Sequence, residues 1–286
     1  METAVGIFDG LVGQPKAREL LGRAVANEVL AQTLIFVGPK GVGRKTTAIL
    51  LARALHQDEM TNHPDTFIFS QILSAMREHK KGIKDAVDEL RKFMELSPIR
   101  SQIKAAIIDE AEGLSIGAQN ALLKTLEEPH ADTILILITE DERRLLPTIV
   151  SRAQVIRFSP LTDEEIQQTV PGVAPDLLAA ARGSLGFVKE MLAHPDRWED
   201  FQQAREFWLD IERQSLEDKF KWAEKVKERT DAVEFLTNGI VVLREKLLQA
   251  PDAKIAGLLA RMQEAIDQIK DNVNTRAALE ALLLVF

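Results

Sequence analysis

Residues 37–47, VGPKGVGRKTT, carry most of a phosphate-binding loop. Such a loop reads G-x-x-x-x-G-K-[ST]. Gly38 and Gly43 take the two glycine positions, but Arg44 stands where the pattern has Lys, and Lys45 stands where it has Ser or Thr. The apolar run TLIFV precedes the loop and the helical segment TTAILLARAL follows it. Strand, glycine loop and helix in this order predict a P-loop domain of the α/β class.

Outward from the loop, apolar runs alternate with helical segments up to about residue 160. The predicted strands are TLIFV (33–37), TFIFS (66–70), KAAIIDEAE (104–112), TILILIT (133–139) and QVIRF (154–158). Strands that alternate with helices predict a parallel, doubly wound sheet.

After about residue 160 the signals are almost all helical. Thr162 with Glu165 forms the capping-box pattern of a helix start, Pro175 opens a second helix, and Ser184 is a predicted cap of a third.

The chain therefore divides into three predicted domains. Residues 1–160 form the α/β domain, 161–196 a small helical lid, and 197–286 an all-helical domain. Most of the large apolar side chains of this last part are expected in its core, and they include Trp208, Phe220, Trp222 and Phe235.

Composition is that of an ordinary globular chain. The 286 residues are 45% apolar and 28% charged, with a net charge of −8 and no cysteine. The absence of cysteine excludes disulfides and thiolate metal sites, and the acidic balance argues against tight DNA binding by the chain alone. No secretory signal or long apolar run is visible. A cytoplasmic location without membrane contact is expected.

Four residues outside the loop fit the chemistry of nucleotide hydrolysis. Asp109 and Glu110 end an apolar strand, where P-loop ATPases place the magnesium-shell carboxylate and the acid that polarises water. Thr139 ends the central strand, near the expected position of a γ-phosphate, and Arg152 follows LLPTIV in the pair SR. Each type alone is commonly structural; their order on one alternating pattern favours a functional interpretation.

Several segments resemble the clamp-loader branch of the AAA+ ATPases. They are GLVGQPKARELL, GPKGVGRKTT, IIDEAEGLSIGAQNALLKTLEEP, TILILIT and LLPTIVSR. The tail DNVNTRAALEALLLVF (271–286) and the motif HPDT (63–66) resemble the delta-prime family of bacterial DNA polymerase III subunits. The resemblance implies an AAA+ P-loop domain, a helical lid and a C-terminal collar domain for oligomerisation.

The same resemblance implies a role in DNA replication. In this family a ring of subunits opens a sliding clamp and places it on primed DNA, driven by ATP-hydrolysing motor subunits. A delta-prime-like subunit is a stator beside the motor (gamma/tau) and delta subunits. It offers an arginine finger, which the motif places at Arg152, to the nucleotide of a neighbouring motor.

The nucleotide site of this chain is predicted to be degenerate. Lys45 replaces the hydroxyl that binds Mg²⁺, and its ammonium repels the metal. A shift of one residue to Lys45 and Thr46 turns the helix by about 100°, which aims both side chains elsewhere. The motors' lid motif resembles GSLR, whereas this chain has GSLG and so Gly186 in place of the arginine. The candidate site residues are Gly38, Gly41, Gly43, Arg44, Lys45, Thr46, Asp109, Glu110 and Thr139.

Two functions of different classes stay open. The favoured one is a stator that requires no cofactor, with weak binding of ATP and magnesium through backbone amides left open. The alternative is an ATP-hydrolysing motor subunit, which the intact Asp109 and Glu110 support. A small-molecule kinase is disfavoured, because the helical C-terminal part shows no substrate site. His56 and His63 are too few for the zinc module of the motors.

Overall fold

The computed structural model describes residues 6–58, 60, 63–69, 83–127, 132–226, 228–270 and 273–284. The chain forms two compact units, Met1–Lys189 and Glu190–Phe286. The boundary predicted near residue 160 lies inside the first unit, so a separate lid domain stays a prediction.

In the described part of the first unit, five parallel strands form a sheet in the order β2-β3-β4-β1-β5. The strands are β1 (Thr33–Val37), β2 (Thr66–Ile68), β3 (Lys104–Ile108), β4 (Thr133–Thr139) and β5 (Gln154–Arg157). Every residue of β1, β3 and β4 is buried, as parallel strands with both faces covered require. The predicted parallel sheet is confirmed.

Helices α1 to α5 cover both faces of this sheet. The helices described up to residue 193 are α1 (Pro15–Ala26), α2 (Arg44–His56), α3 (Ile83–Glu95), α4 (Ile116–Glu127), α5 (Pro147–Val150), α6 (Asp163–Thr169), α7 (Pro175–Ala181) and α8 (Leu185–Ala193). Successive strand residues point to opposite faces. Leu34 and Phe36 share one core with residues of α1 and α2, while Ile35 and Leu137 share the other with residues of α3 and α4.

Several predicted element ends differ from the structure or cannot be compared with it. The strand predicted over 104–112 ends at Ile108, and a 3₁₀ turn, Ala111–Gly113, follows it. The strand expected over 66–70 ends at Ile68, because Phe69 leaves the sheet and packs in a core cluster with Leu90 and Met94 of α3. Ser70 and Pro129, the residue expected to end the helix of NALLKTLEE, lie outside the described residues.

The predicted helix starts after residue 160 are confirmed. The hydroxyl of Thr162 accepts from the Glu165 N–H at 3.2 Å, and the Thr162 N–H donates to the Glu165 carboxylate at 2.8 Å. The Ser184 hydroxyl accepts from the Phe187 N–H at 3.1 Å, and Pro175 is the first residue of α7.

The regular elements of the second unit, among its described residues, are all helices. Its helices are α9 (Pro195–Leu209), α10 (Leu216–Lys225), α11 (Arg229–Gln249), α12 (Ala253–Lys270) and α13 (Thr275–Leu283). Trp208 and Phe235 are buried in its core and Trp222 packs against it, as predicted, whereas Phe220 is only half-buried. The indole N–H of Trp208 donates to the Phe235 carbonyl at 3.1 Å. No helix among the described residues is long and apolar enough to cross a bilayer.

Candidate functional site

The fold brings the predicted nucleotide-site residues to one edge of the sheet. The glycine loop joins β1 to α2, and Asp109 and Glu110 follow β3. The Gly38 N–H donates to the carbonyl of Thr139, the last residue of β4, at 3.3 Å. In open parallel sheets the carboxyl ends of neighbouring strands form the usual ligand crevice. This edge is therefore the candidate site.

Lys45 stands at the loop position where a P-loop has the Ser or Thr hydroxyl that binds Mg²⁺. Its Nζ lies 3.1 Å from Oδ2 of Asp109, and the two side chains are 44% and 19% exposed. An ammonium in contact with this carboxylate takes the oxygen that would face a magnesium shell and repels a divalent cation. Thr46, one residue later, is exposed. The residues present therefore do not fit a magnesium ion.

Arg44 points its charge into the protein. It is only 8% exposed, and burial lowers the pKa of its guanidinium, while the carboxylates of Glu140, Glu112, Asp109 and Glu110 oppose this shift. Nη1 is buried and has no hydrogen-bond partner within the described part of the chain. Arg44 is thus a buried cation among acids from two neighbouring strand ends.

Thr139 is satisfied by its own chain. It is fully buried, and its hydroxyl donates to the Asp141 carbonyl at 3.1 Å and accepts from the Asp141 N–H at 3.3 Å. These bonds shape the turn after β4 and hold the hydroxyl within that turn.

The first turn of α8 and the residues just before it lie directly on the glycine loop. The Gly186 N–H donates to the Gly41 carbonyl at 2.9 Å. A Cβ built on Gly186 would lie 2.8 Å from Cα of Gly41, and one built on Gly41 would lie 2.1 Å from Oγ of Ser184. Only two glycines allow this approach of backbone to backbone.

Gln14 is a contributor that sequence reasoning missed. It is buried with a left-handed backbone, φ 56°. Its Nε2 donates to the Ser159 carbonyl at 2.6 Å and to the Val42 carbonyl at 3.3 Å, and its Oε1 accepts from the Ser159 N–H at 3.0 Å. Gln14 therefore ties the glycine loop to the chain that leaves β5. A Gln before Pro15 gives no signal of such distant bonds.

Arg152 lies in the turn after α5 and is bound to its own chain. Its Nη2 lies 3.1 Å from Oε1 of Glu127, at the end of α4, and its Nη1 donates to the Thr148 carbonyl at 3.1 Å. The side chains of Arg152 and Glu127 are 40% and 53% exposed. The guanidinium is thus held at the surface by an ion pair open to solvent.

Gln119 is a second missed residue, and it supports the segment that leads to Arg152. It is buried in α4. Its Nε2 donates to the Leu114 carbonyl at 3.1 Å and to the Arg144 carbonyl at 3.3 Å, and its Oε1 accepts from the Leu146 N–H at 2.8 Å. A buried amide with all three bonds made fixes α4 against this segment.

His56 and His63, the two histidines considered for a zinc module, are buried and hydrogen-bonded within the fold. Their rings stack with centroids 4.2 Å apart, and Nε2 of His56 lies 2.8 Å from the Thr66 hydroxyl. Nδ1 of His63 accepts from the Asp65 N–H at 3.1 Å. Burial, and then the neighbouring His63, lower the pKa of His56. Within the described residues no group of three or more His, Cys, Asp or Glu is arranged to hold a metal ion.

Comparison with known proteins gives one consistent result. Residues 13–162 match the family described as DNA polymerase III, delta subunit. A DNA polymerase III subunit delta' of Bacillus subtilis (strain 168) is 26% identical, over 95% of this chain and 95% of that protein. A DNA polymerase III subunit tau of the same organism is 34% identical, over 56% of this chain and 30% of that protein.

Among solved structures, a DNA polymerase III, gamma subunit-related protein from Thermotoga maritima superposes with a TM-score of 0.59 at 16% identity. The match covers 96% of this chain and 98% of that one. At this identity the likeness shows the shared fold alone.

Proposed function

The chain belongs to the family described as DNA polymerase III, delta subunit, and on that basis we propose that it is a delta-prime-like stator of a clamp loader. It takes a fixed place in a ring with motor (gamma/tau) and delta subunits. Through that ring it helps to load a sliding clamp onto primed DNA. It requires no nucleotide of its own, and Arg152 serves the nucleotide of a neighbouring motor.

The observation that carries the stator assignment is the ion pair of Lys45 with Asp109, at 3.1 Å. A hydrolysing site needs a hydroxyl and a carboxylate around Mg²⁺ there. An ammonium supplies neither a ligand for the metal nor space for it. Gly186 adds to this argument, because it stands where the lid motif of the motors has an arginine that contacts the nucleotide.

The finger assignment for Arg152 is supported by its exposure and its weak partner. An ion pair between two exposed side chains contributes only about 0–1 kcal/mol. Arg152 can therefore leave Glu127 for a phosphate at little cost. A guanidinium suits this task because its planar fork spans two phosphate oxygens and stays charged at any physiological pH.

The test uses reconstituted rings that contain wild-type chain or Arg152→Ala, with DNA- and clamp-stimulated ATP hydrolysis as the measurement. The variant should fold and assemble, because exposed substitutions usually change stability by about 0.5 kcal/mol or less. Hydrolysis should fall, since trans arginine fingers contribute about 10³–10⁵ in rate at the site that they serve. The loss for the whole ring should be smaller, because one motor site among several sees this finger.

Arg143→Ala is the matched control. Arg143 is also exposed and pairs with a carboxylate of its own chain, Asp141, at 2.8 Å. If the wild-type, Arg143→Ala and Arg152→Ala rings hydrolyse ATP at equal rates, Arg152 is an ordinary surface arginine and the finger assignment is wrong.

A further inference from the structure

We propose that the glycine loop is a docking site for a segment of its own chain, residues 183–186, and that it is closed by that segment without nucleotide. This inference deepens the proposed function. A stator whose loop is filled from within keeps one conformation while its neighbours bind and hydrolyse ATP.

The contact is a direct one between two backbones. Gly186 N–H donates to the Gly41 carbonyl at 2.9 Å, and the Cα of Gly41 and the position of a Gly186 Cβ are only 2.8 Å apart. Distances below 3.0 Å are essentially not seen for real Cβ atoms. No side chain, and so no lid arginine, fits at position 186 while this contact is made.

The docked segment is held on its other side as well. The Leu161 N–H donates to the Gly183 carbonyl at 3.0 Å, and Ser184 caps α8 through its bond from the Phe187 N–H. The loop is held in turn by the Gln14 amide, which donates to the Val42 carbonyl. Both halves of the contact are thus fixed by hydrogen bonds to other parts of the chain.

The charges of the loop are also balanced within the chain. Lys45 pairs with Asp109 at 3.1 Å, and Arg44 lies in the field of Glu140 and Glu112. An incoming polyphosphate would have to displace one carboxylate and approach the others. Like charges so close raise the free energy of the bound state. The loop therefore favours its own acids over an anionic ligand.

Two features here fit an anion site: the backbone amides of the loop at the start of α2, and the buried, unpartnered Nη1 of Arg44. The Arg44 guanidinium is buried, however, and the carboxylates of Glu140, Glu112, Asp109 and Glu110 act on its charge. These carboxylates would also repel a phosphate bound beside it.

The experiment follows thermal unfolding of the full chain by circular dichroism, in buffer with EDTA, with MgCl₂ and with Mg·ATP. The variants are Lys45→Thr and, as a matched control on the same loop, Lys40→Thr. Lys40 lies 3.6 Å from Glu110, but the two side chains are 80% and 70% exposed. The three tryptophans all lie in the second unit, so their fluorescence reports that unit separately and serves as an internal reference.

The wild-type midpoint should be the same in all three solutions. Lys45→Thr should lower it by roughly 2–4 °C, and MgCl₂ should recover part of this loss, because the substitution frees Asp109 beside a new hydroxyl. Lys40→Thr should leave the midpoint unchanged within about 1 °C, since so exposed a pair contributes little. The Gly186 N–H should be protected from hydrogen exchange equally with and without Mg·ATP.

Two results would overturn the proposal. One is a wild-type midpoint that Mg·ATP raises by about 3 °C or more, which shows that nucleotide binds the native loop. The other is a Gly186 N–H that exchanges freely until Mg·ATP is added. Neither measurement involves Arg152, so the self-docked loop can fail while the finger stands, and the finger can fail while the loop stands.

Discussion

Gly186→Ala tests the contact between the glycine loop and the segment that covers it with a single added carbon. Gly186 is the second residue of α8. A new Cβ there would lie 2.8 Å from Cα and 3.4 Å from the carbonyl oxygen of Gly41. Backbone atoms cannot yield as the end of a flexible side chain can. The segment must therefore move off the loop or the loop must deform.

Two effects of opposite sign decide the magnitude. Alanine is a better helix former than glycine by about 0.5–1 kcal/mol. Overpacking against a well-packed neighbour costs about 1–3 kcal/mol, and loss of the bond from the Gly186 N–H adds about 0.5–1.5 kcal/mol. We expect a net loss of roughly 1–3 kcal/mol, with the strain dominant. That corresponds to a midpoint lower by about 2–4 °C for each kcal/mol.

Gly117→Ala provides the control for helix propensity. Gly117 is the second residue of α4, and a Cβ there would meet only the Ser115 Oγ at an ordinary 3.9 Å. This variant should be as stable as the wild type or slightly more so. The measurement is far-UV thermal unfolding of the three chains under identical conditions. Equal midpoint shifts of the same sign in both variants would show that the contact at Gly41 contributes nothing to stability.

Two further outcomes are expected. The isolated chain should show no magnesium-dependent ATP hydrolysis above background, and robust turnover that Glu110→Gln abolishes would identify a motor instead. Asp65→Asn should cost roughly 2–4 kcal/mol by urea unfolding at neutral pH, because the Asp65 carboxylate accepts backbone N–H bonds from Ile99, Arg100 and Ser101 at 2.6–2.8 Å. Burial alone would raise the pKa of Asp65, but these bonds lower it to about 2 from 3.8. Its stabilisation is therefore present above about pH 4 and is lost as the pH falls towards 2, a loss that the variant should lack.

Much of the fold could be predicted from the sequence because it rests on local patterns. The strand TILILIT is apolar throughout, and all its residues are buried in β4. The capping box at Thr162 and Glu165 needs only a hydroxyl and a carboxylate three residues apart. The predicted end of β2 was wrong because it relied on the same local pattern. Phe69 continues a strand-like run, but it fills a core under α3 instead.

The contacts that give the site its character were not predictable, because they join distant positions. Gln14 bonds to Ser159, 145 residues later. Arg44 could be placed in the loop from its motif, but nothing in the motif told which way its guanidinium points. In the structure the Arg44 guanidinium is buried and lies in the field of Glu140 and Glu112. These two acids follow β4 and β3, which only the strand order of the sheet makes neighbours. The motif likewise showed that Gly186 stands in place of an arginine. Its backbone contact with Gly41, however, is visible only in the folded chain.

The intact pair Asp109 and Glu110 was the strongest sequence argument for a motor. In the structure both acids lie beside lysines of the glycine loop, which weakens that argument. Asp109 is the partner of Lys45 at 3.1 Å and is only 19% exposed. Lys45 itself is exposed, so the partner that gains most from the pair is the half-buried Asp109 carboxylate. With Lys45 at this position, an acid at 109 has a structural partner, whether or not ATP is ever hydrolysed. Glu110 lies 3.6 Å from the exposed Lys40 and also acts on the charge of Arg44, so each acid has a cation of its own chain nearby. Lys45 and Asp109 are thus the two partners of one ion pair within the chain, and the presence of the acid does not by itself distinguish a motor from a stator.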